Sequence, residues 1–253
     1  MLFAICYLLT LQIGLHQEYI ARIGSFYISN SFFTTILVSL LIVLASIFLS
    51  RTLTGVFGRG RLQRLGEIIY EPIWKFIRTV LENDKAAEFV FPYIATFFVF
   101  ILISNFVEIL PGFLGSFGIR HEHGELIPLL RSPSTDLNVT LALALVSVGI
   151  TQLIAVRFLG FKKYISKFIN FRSPLKAFLG FFEAVGEISK VLSFSFRLFG
   201  NMFAGSVLLI VIGFLVPYII PLPFMFLELF VGLVQALIFS MLTLMFIKAA
   251  LTH

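Results

Sequence analysis

"AFLGFFEAVGEISKVLSFSFRLFGNMFAGSVLLIVIGFLV", residues 177–216, contains no proline and few polar side chains. As one α-helix it would run about 60 Å at 1.5 Å per residue, well beyond a hydrocarbon core of about 30 Å. Such a helix has to tilt, bend or extend along the membrane surface. It also carries Arg197, flanked by Phe196, Leu198 and Phe199, and a guanidinium stays charged at any physiological pH. A charge at mid-bilayer costs about 2.5–3.5 kcal/mol on insertion scales, so it needs a partner or a watery cavity.

The rest of the chain supports that setting. Of its 253 residues 59% are hydrophobic and 13% charged, with a mean hydropathy of +1.02, a composition foreign to ordinary soluble domains. Thirty-two Phe residues and long apolar runs give helices that are apolar all round, as lipid requires. The fold class is all-α: a polytopic membrane protein, read as a single integral membrane domain over 1–253. The net charge of +6 comes from basic residues in the loops between apolar runs, which is positive-inside orientation rather than a nucleic-acid surface. The lone Cys6 excludes an internal disulfide and a cysteine metal cluster. No nucleophile constellation, phosphate loop or cofactor motif is present, so no cofactor is expected, nor an active site of the chain's own. His121 and His123, in "RHEHGE", are one residue apart in a loop and form no recognised metal cage.

Five spans are expected, at 31–50, 89–110, 137–156, 177–216 and 224–250. Residues 1–15, "MLFAICYLLTLQIGL", lack a basic n-region and a small-x-small cleavage site, and read as a short interfacial or truncated segment. After the first span come Arg51, Arg59, Arg61 and Arg64, then "EIIYEPIWKFIRTVLEND" (67–84). There Ile69, Ile73, Phe76, Ile77 and Val80 recur at three- and four-residue spacing, giving an amphipathic surface helix at 66–82. Pro111 and Gly112 end the second span. Ser134 or Thr135 can cap the third, with Asp136 in its first turn. A basic loop follows at 157–176, and "VPYIIPLP" (216–223) is the last turn. Lys and Arg counts put 51–85 and 157–176 on the cytoplasmic side, 111–135 and 217–223 outside, the N-terminus outside and the C-terminus inside.

Polar residues within these spans form a pattern. Ser193, Arg197 and Asn201 lie four apart, near one helical face. Glu183 precedes Arg197 by about four turns, roughly 20 Å, and Glu187 and Lys190 continue this stripe from the inner side. On the last helix Glu228 and Gln235 share a face. A compact antiparallel turn would set Gln235 near Phe203 and Glu228 near Ile210. One carboxylate then lies on the outer side of Arg197 and others on its inner side. Plainer readings stand beside this one. Arg197 can snorkel or be neutralised by a structural Glu, and Glu228 can snorkel. Glu183, Glu187 and Lys190 can be a solvated helix end, and Asn201 and Gln235 interhelical glue. Asn105 and Glu108 line an outer vestibule or cap the second span.

"SFSFRLFGNMFAG" (193–205) resembles the most specific block of subunit a of the F-type ATP synthase, the stator subunit of its membrane Fo sector. "SPSTDLNVTLALAL" (132–145), "FFEAVGEISKVLS" (181–193) and "ELFVGLVQALIFSMLTLMFIKAA" (228–250) support the resemblance in the same order. It implies that Arg197 is similar to the family's essential arginine, which faces the carboxylate of the rotating c-ring between two aqueous half-channels. It further implies that Gln235 packs near that arginine, that Asn201 and Glu228 line the outer half-channel, and that Glu183, with Glu187, marks the inner one. Asp136 and Asn138 match the polar start of the family's third span. Some members carry a carboxylate or histidine nine residues after the arginine. Here that position is Ser206, which leaves Glu228 as the main outer relay.

The partners implied are the c-ring, the subunit b peripheral stalk, the rest of FoF1, the lipid bilayer and translocated H⁺, with Na⁺ as the alternative. The implied location is the bacterial plasma membrane, or alternatively the mitochondrial inner membrane. A rival class, a secondary transporter or anion-binding channel using Arg197, predicts an inverted repeat or a broken helix, and the sequence has neither. A purely structural assembly subunit is the third reading.

Overall fold

The computed structural model describes residues 19–23, 26–53, 61–109, 118–120, 126–128, 132–168, 174–216 and 220–252. The His121/His123 pair, Pro111, Gly112 and residues 1–15 lie outside these, as does the side chain of Glu108. Among the described residues seven α-helices follow in order: α1 (Asn30–Leu53), α2 (Arg61–Leu81), α3 (Asp84–Ile109), α4 (Leu137–Leu159), α5 (Phe161–Phe168), α6 (Pro174–Leu215) and α7 (Pro221–Thr252). Five of them, α1, α3, α4, α6 and α7, are long and apolar enough to cross a membrane. The fold is thus an all-α, multi-pass membrane architecture. Two small antiparallel hairpins, unforeseen in the sequence, lie outside the helices: β1 (Tyr19–Ile23) with β2 (Phe26–Ser29), and β3 (Gly118–Arg120) with β4 (Leu126–Pro128).

Local chemistry sets the helix ends. Ser29 Oγ accepts from Phe32 N at 3.2 Å and starts α1; Asn83 Oδ1 does the same for Ala86 N before α3. The third span departs from expectation. Pro133 opens a 3₁₀ turn, Pro133–Thr135, capped by Ser132, so Ser134 and Thr135 are used up in it. The α4 cap is Asp136 itself: extended at φ −110°, its carboxylate accepts from Asn138 N at 2.9 Å. Gly160, at φ +86°, ends α4, a conformation that favours glycine. The basic loop after it contains α5, which the sequence reading took as loop throughout. Pro174 and Pro221 occupy first helical positions, where proline loses no hydrogen bond. Residues 221–223 therefore belong to α7 rather than to the turn.

Burial follows two clusters. Around the α2–α3 corner, Ile77, Leu81, Ala86, Val90, Ile154, Leu244 and Ile247 are buried together. The amphipathic α2 thus presses Ile73, Ile77 and Val80 onto the bundle, while Phe76 remains 39% exposed. Lys248 Nζ donates to Glu82 Oε1 at 2.9 Å and ties the end of α7 to the same corner. Nearer the middle of α6, Phe97, Ile101, Ala144, Phe194, Leu198, Ala236 and Phe239 form the second cluster, joining α3, α4, α6 and α7.

Candidate functional site

Arg197 sits midway along α6, the 42-residue helix. Its guanidinium donates to Ser193 Oγ, one turn earlier, at 3.3 Å. The residue is half-buried, and the helix face running through Phe196 and Gly200 is exposed. Behind it Leu198 is fully buried, and Phe194 packs between Phe239 (ring centroids 4.8 Å) and Phe246 (5.5 Å). Phe97 meets Phe239 from α3 at 5.6 Å. The arginine therefore stands in front of a layer of aromatic and aliphatic side chains.

On the side of that layer toward the C-terminal end of α6 the polar residues meet one another. Asn201 Nδ2 donates to Gln235 Oε1 at 2.8 Å across α6 and α7, and Gln235 is 2% exposed. Glu228, 5% exposed, lies against Gly205. A Cβ built on that glycine would come 2.6 Å from Glu228 Oε1, so the absent side chain is what lets the carboxylate reach the α6 backbone. A compact antiparallel turn alone would set Glu228 near Ile210. Because α7 already begins at Pro221, Glu228 lies more than a turn deeper along α6, toward Arg197. Asn105 of α3 extends the network: its Nδ2 donates to Gly232 O at 3.1 Å and its Oδ1 accepts from Ser134 at 2.7 Å. Ser132 Oγ donates to Ser104 O at 3.1 Å. Thr140 and Ser195 hydroxyls are 3.2 Å apart, joining the start of α4 to α6. Asp136 is buried as the α4 cap, while Asn138 is exposed. Ser206 back-bonds to Met202 O at 2.9 Å.

The opposite side, toward the N-terminal end of α6, is built from charge. Glu187 Oε1 accepts from Lys190 Nζ at 2.7 Å, and Lys190 also lies 4.8 Å from the Phe246 ring centroid. Glu187 Oε2 is buried and finds no hydrogen-bond partner among the described residues. Tyr164, on α5, donates to Gln152 Oε1 of α4 at 2.6 Å. Burial, followed by the negative charges of Glu187 and Glu183, raises the Tyr164 hydroxyl above the usual tyrosine range. Tyr164, Gln152 and Gly232 escaped the sequence reading. Gln152 was detectable as a lone amide within the apolar "SVGITQLIAV" (147–156); Tyr164 was masked by the lysines around it. Among the described residues no group of three His, Cys, Asp or Glu side chains could hold a metal ion.

Residues 32–248 match the family model described as ATP synthase A chain. The chain is 36% identical over 192 residues to the ATP synthase subunit a of Syntrophobacter fumaroxidans, covering 76% of this chain and 72% of that one. It is 34% identical over 222 residues to that of Campylobacter jejuni subsp. jejuni, covering 87% and 88%. Over 220 residues it is 31% identical to that of Citrifermentans bemidjiense, covering 87% and 86%. The chain belongs to the ATP synthase A chain family.

Proposed function

We propose that this chain is the ion-conducting stator subunit of an Fo sector and acts as one integral membrane unit. Two offset aqueous half-channels load and unload a carboxylate carried by a separate, rotating c-ring. The observation that carries this reading is the dry layer of Phe97, Phe194, Leu198 and Phe239 behind Arg197. It stands between an outer network (Glu228, Asn201, Gln235, Asn105) and an inner one (Glu187, Lys190, with Glu183 a turn away). The four side chains of that layer carry no polar group, so in this reading the ion leaves the chain, rides on a partner and returns.

In this mechanism a proton enters from outside past Asn105, Asp136 and Asn138, with Ser206 on the wall. It reaches Glu228 and Asn201 and protonates the ring carboxylate. After the ring turns, the carboxylate meets Arg197, whose fixed charge favours the ionised form. The proton then leaves by Glu187 and Glu183. Each charge moved across 100 mV releases about 2.3 kcal/mol, and Arg197 prevents that energy from leaking by repelling cations from a direct crossing. Gln235 holds Asn201 and the neighbouring α6 backbone in register. The transported ion is H⁺, with Na⁺ the alternative that the ring would decide. Subunit b and the rest of FoF1 are the remaining partners, and the bacterial relatives favour a plasma membrane over a mitochondrial one.

An anion-binding transporter would want an enclosed cavity around the arginine or a helix broken beside it. Arg197 instead lies on the flank of a continuous helix. The test is ATP-driven proton pumping by membranes carrying the assembled complex, with Arg197→Ala against the unmodified chain. Loss of pumping with assembly intact is the expected result; unchanged pumping would make Arg197 structural and end this reading.

A further inference from the structure

Gly160, at φ +86°, ends α4 and turns the chain into α5. Tyr164 N then donates to Gly160 O at 3.1 Å, and α5 packs on both α4 and α6. The turn brings Tyr164 against Gln152, the one amide in the apolar stretch 147–156. The Tyr164 hydroxyl donates to Gln152 Oε1 at 2.6 Å.

That acceptor is not the one chemistry would favour. A hydroxyl has a single proton to give, and its bond to a carboxylate is about twice as strong as its bond to a neutral amide. Burial, and then the negative charges of Glu187 and Glu183, raise the Tyr164 hydroxyl above the usual range, so both carboxylates act on it. The proton is nevertheless directed to the amide of α4.

Glu187 is left in an unusual state. Its Oε1 accepts from Lys190 Nζ at 2.7 Å, while its Oε2 is buried and has no hydrogen-bond partner among the described residues. The Ser104 and Ser240 hydroxyls are unpartnered too, but a hydroxyl is neutral and can turn. An ionised carboxylate oxygen can only accept, and this one lies on the stripe of α6 that leads to Arg197.

We infer that Gln152 is a positioning residue of the inner path: by accepting the Tyr164 hydrogen bond it keeps the phenol off Glu187 and leaves Oε2 open to the travelling proton. The inference rests on the half-channel reading above and adds a residue to its inner side. Without an acceptor at 152, the phenol turns to Glu187 and competes with the travelling proton for Oε2. Removing the phenol as well then frees that oxygen again.

The test is ATP-driven pumping by membranes carrying the assembled complex, with Gln152→Met, Tyr164→Phe, both together, and Arg197→Ala alongside. Methionine is unbranched like glutamine, but its sulfur is a weak acceptor. Gln152→Met should slow pumping about fivefold and Tyr164→Phe less than about twofold. The double variant should recover to the level of Tyr164→Phe. In a Glu187→Gln background, Gln152→Met should have no further effect. A bond that merely held α5 to α4 would be lost equally in either single variant. Equal losses, or a double variant no better than Gln152→Met, would therefore overturn the inference. Failure of Gln152→Met to assemble, unrelieved by Tyr164→Phe, would make Gln152 structural and overturn it as well. If Arg197→Ala abolishes pumping while the double variant fails to recover, only the role of Gln152 falls. If Arg197→Ala pumps normally, the half-channel reading falls and this inference with it.

Discussion

The outer and inner sides of Arg197 solve one problem by different means. Outside, amides and hydroxyls satisfy one another across helices, and the Glu228 carboxylate comes close to α6 because Gly205 has no side chain there. Inside, a carboxylate is paired directly with a cation on its own helix, Glu187 with Lys190 at 2.7 Å, near the half-buried phenol of Tyr164. The first flank thus depends on the close approach of Glu228 to the α6 backbone. The second depends on charge, with Glu183 one turn from Glu187 on the same helix.

The strongest way to break this contrast is to add volume outside. Gly205→Ala puts a methyl where Glu228 Oε1 now lies, and the carboxylate, being the end of a flexible side chain, has to move away. ATP-driven pumping should fall about tenfold, a barrier change of about 1.4 kcal/mol, with the complex still assembled. Gly200→Ala meets no atom of this chain within 4 Å, so any comparable loss there would locate a partner pressed against that face. Glu187→Gln is expected to slow pumping less than Glu228→Gln, and equal losses would remove the asymmetry between the two sides.

A smaller effect sharpens the outer network. A double-mutant cycle with Asn201→Leu and Gln235→Leu should give a coupling of about 0.6 kcal/mol, and at most about 2, as measured for interhelical hydrogen bonds in membranes. Thermal unfolding of the complex in detergent reads it. A value near zero would make the two amides independent. On the inner side, the Tyr164 hydroxyl is raised above the usual range by burial and then by Glu187 and Glu183. The folded chain thus holds that proton more tightly than the unfolded one, so stability should fall as pH rises from about 10 toward the folded-state value. Tyr164→Phe should flatten that fall, followed by phenolate absorbance and melting. The smallest effect belongs to Lys248→Ala, which breaks a pair whose Glu82 is largely exposed and should cost less than about 1 kcal/mol.

Much of this was legible in the sequence for physical reasons. Apolar runs long enough for a bilayer give five spans directly, because lipid leaves a helix few alternatives. Arg197, Asn201, Glu228 and Gln235 stood out because polar side chains are costly there. What the sequence hid depends on approach between elements. Nothing in "NMFAGS" (201–206) says that Gly205 faces Glu228 rather than lipid, since that needs the register of α6 on α7. Pro221 and Pro223 were read as a turn although proline suits a helix's first turn. Helix α5 is too short for its periodicity to stand out, so Tyr164 had no visible neighbours. The Asp136 cap was displaced by one 3₁₀ turn that Pro133 initiates.

The most direct test of the central claim asks from which side each carboxylate position meets water. Glu228→Cys and Glu187→Cys, each in a Cys6→Ser background, are exposed to Ag⁺ added to one face of sealed vesicles carrying the complex, and inhibition of residual proton flux is followed. The account predicts that the first variant is blocked from the outer face and the second from the inner face. Block of both from the same face would mean that the aromatic layer behind Arg197 does not divide two paths, and would contradict it.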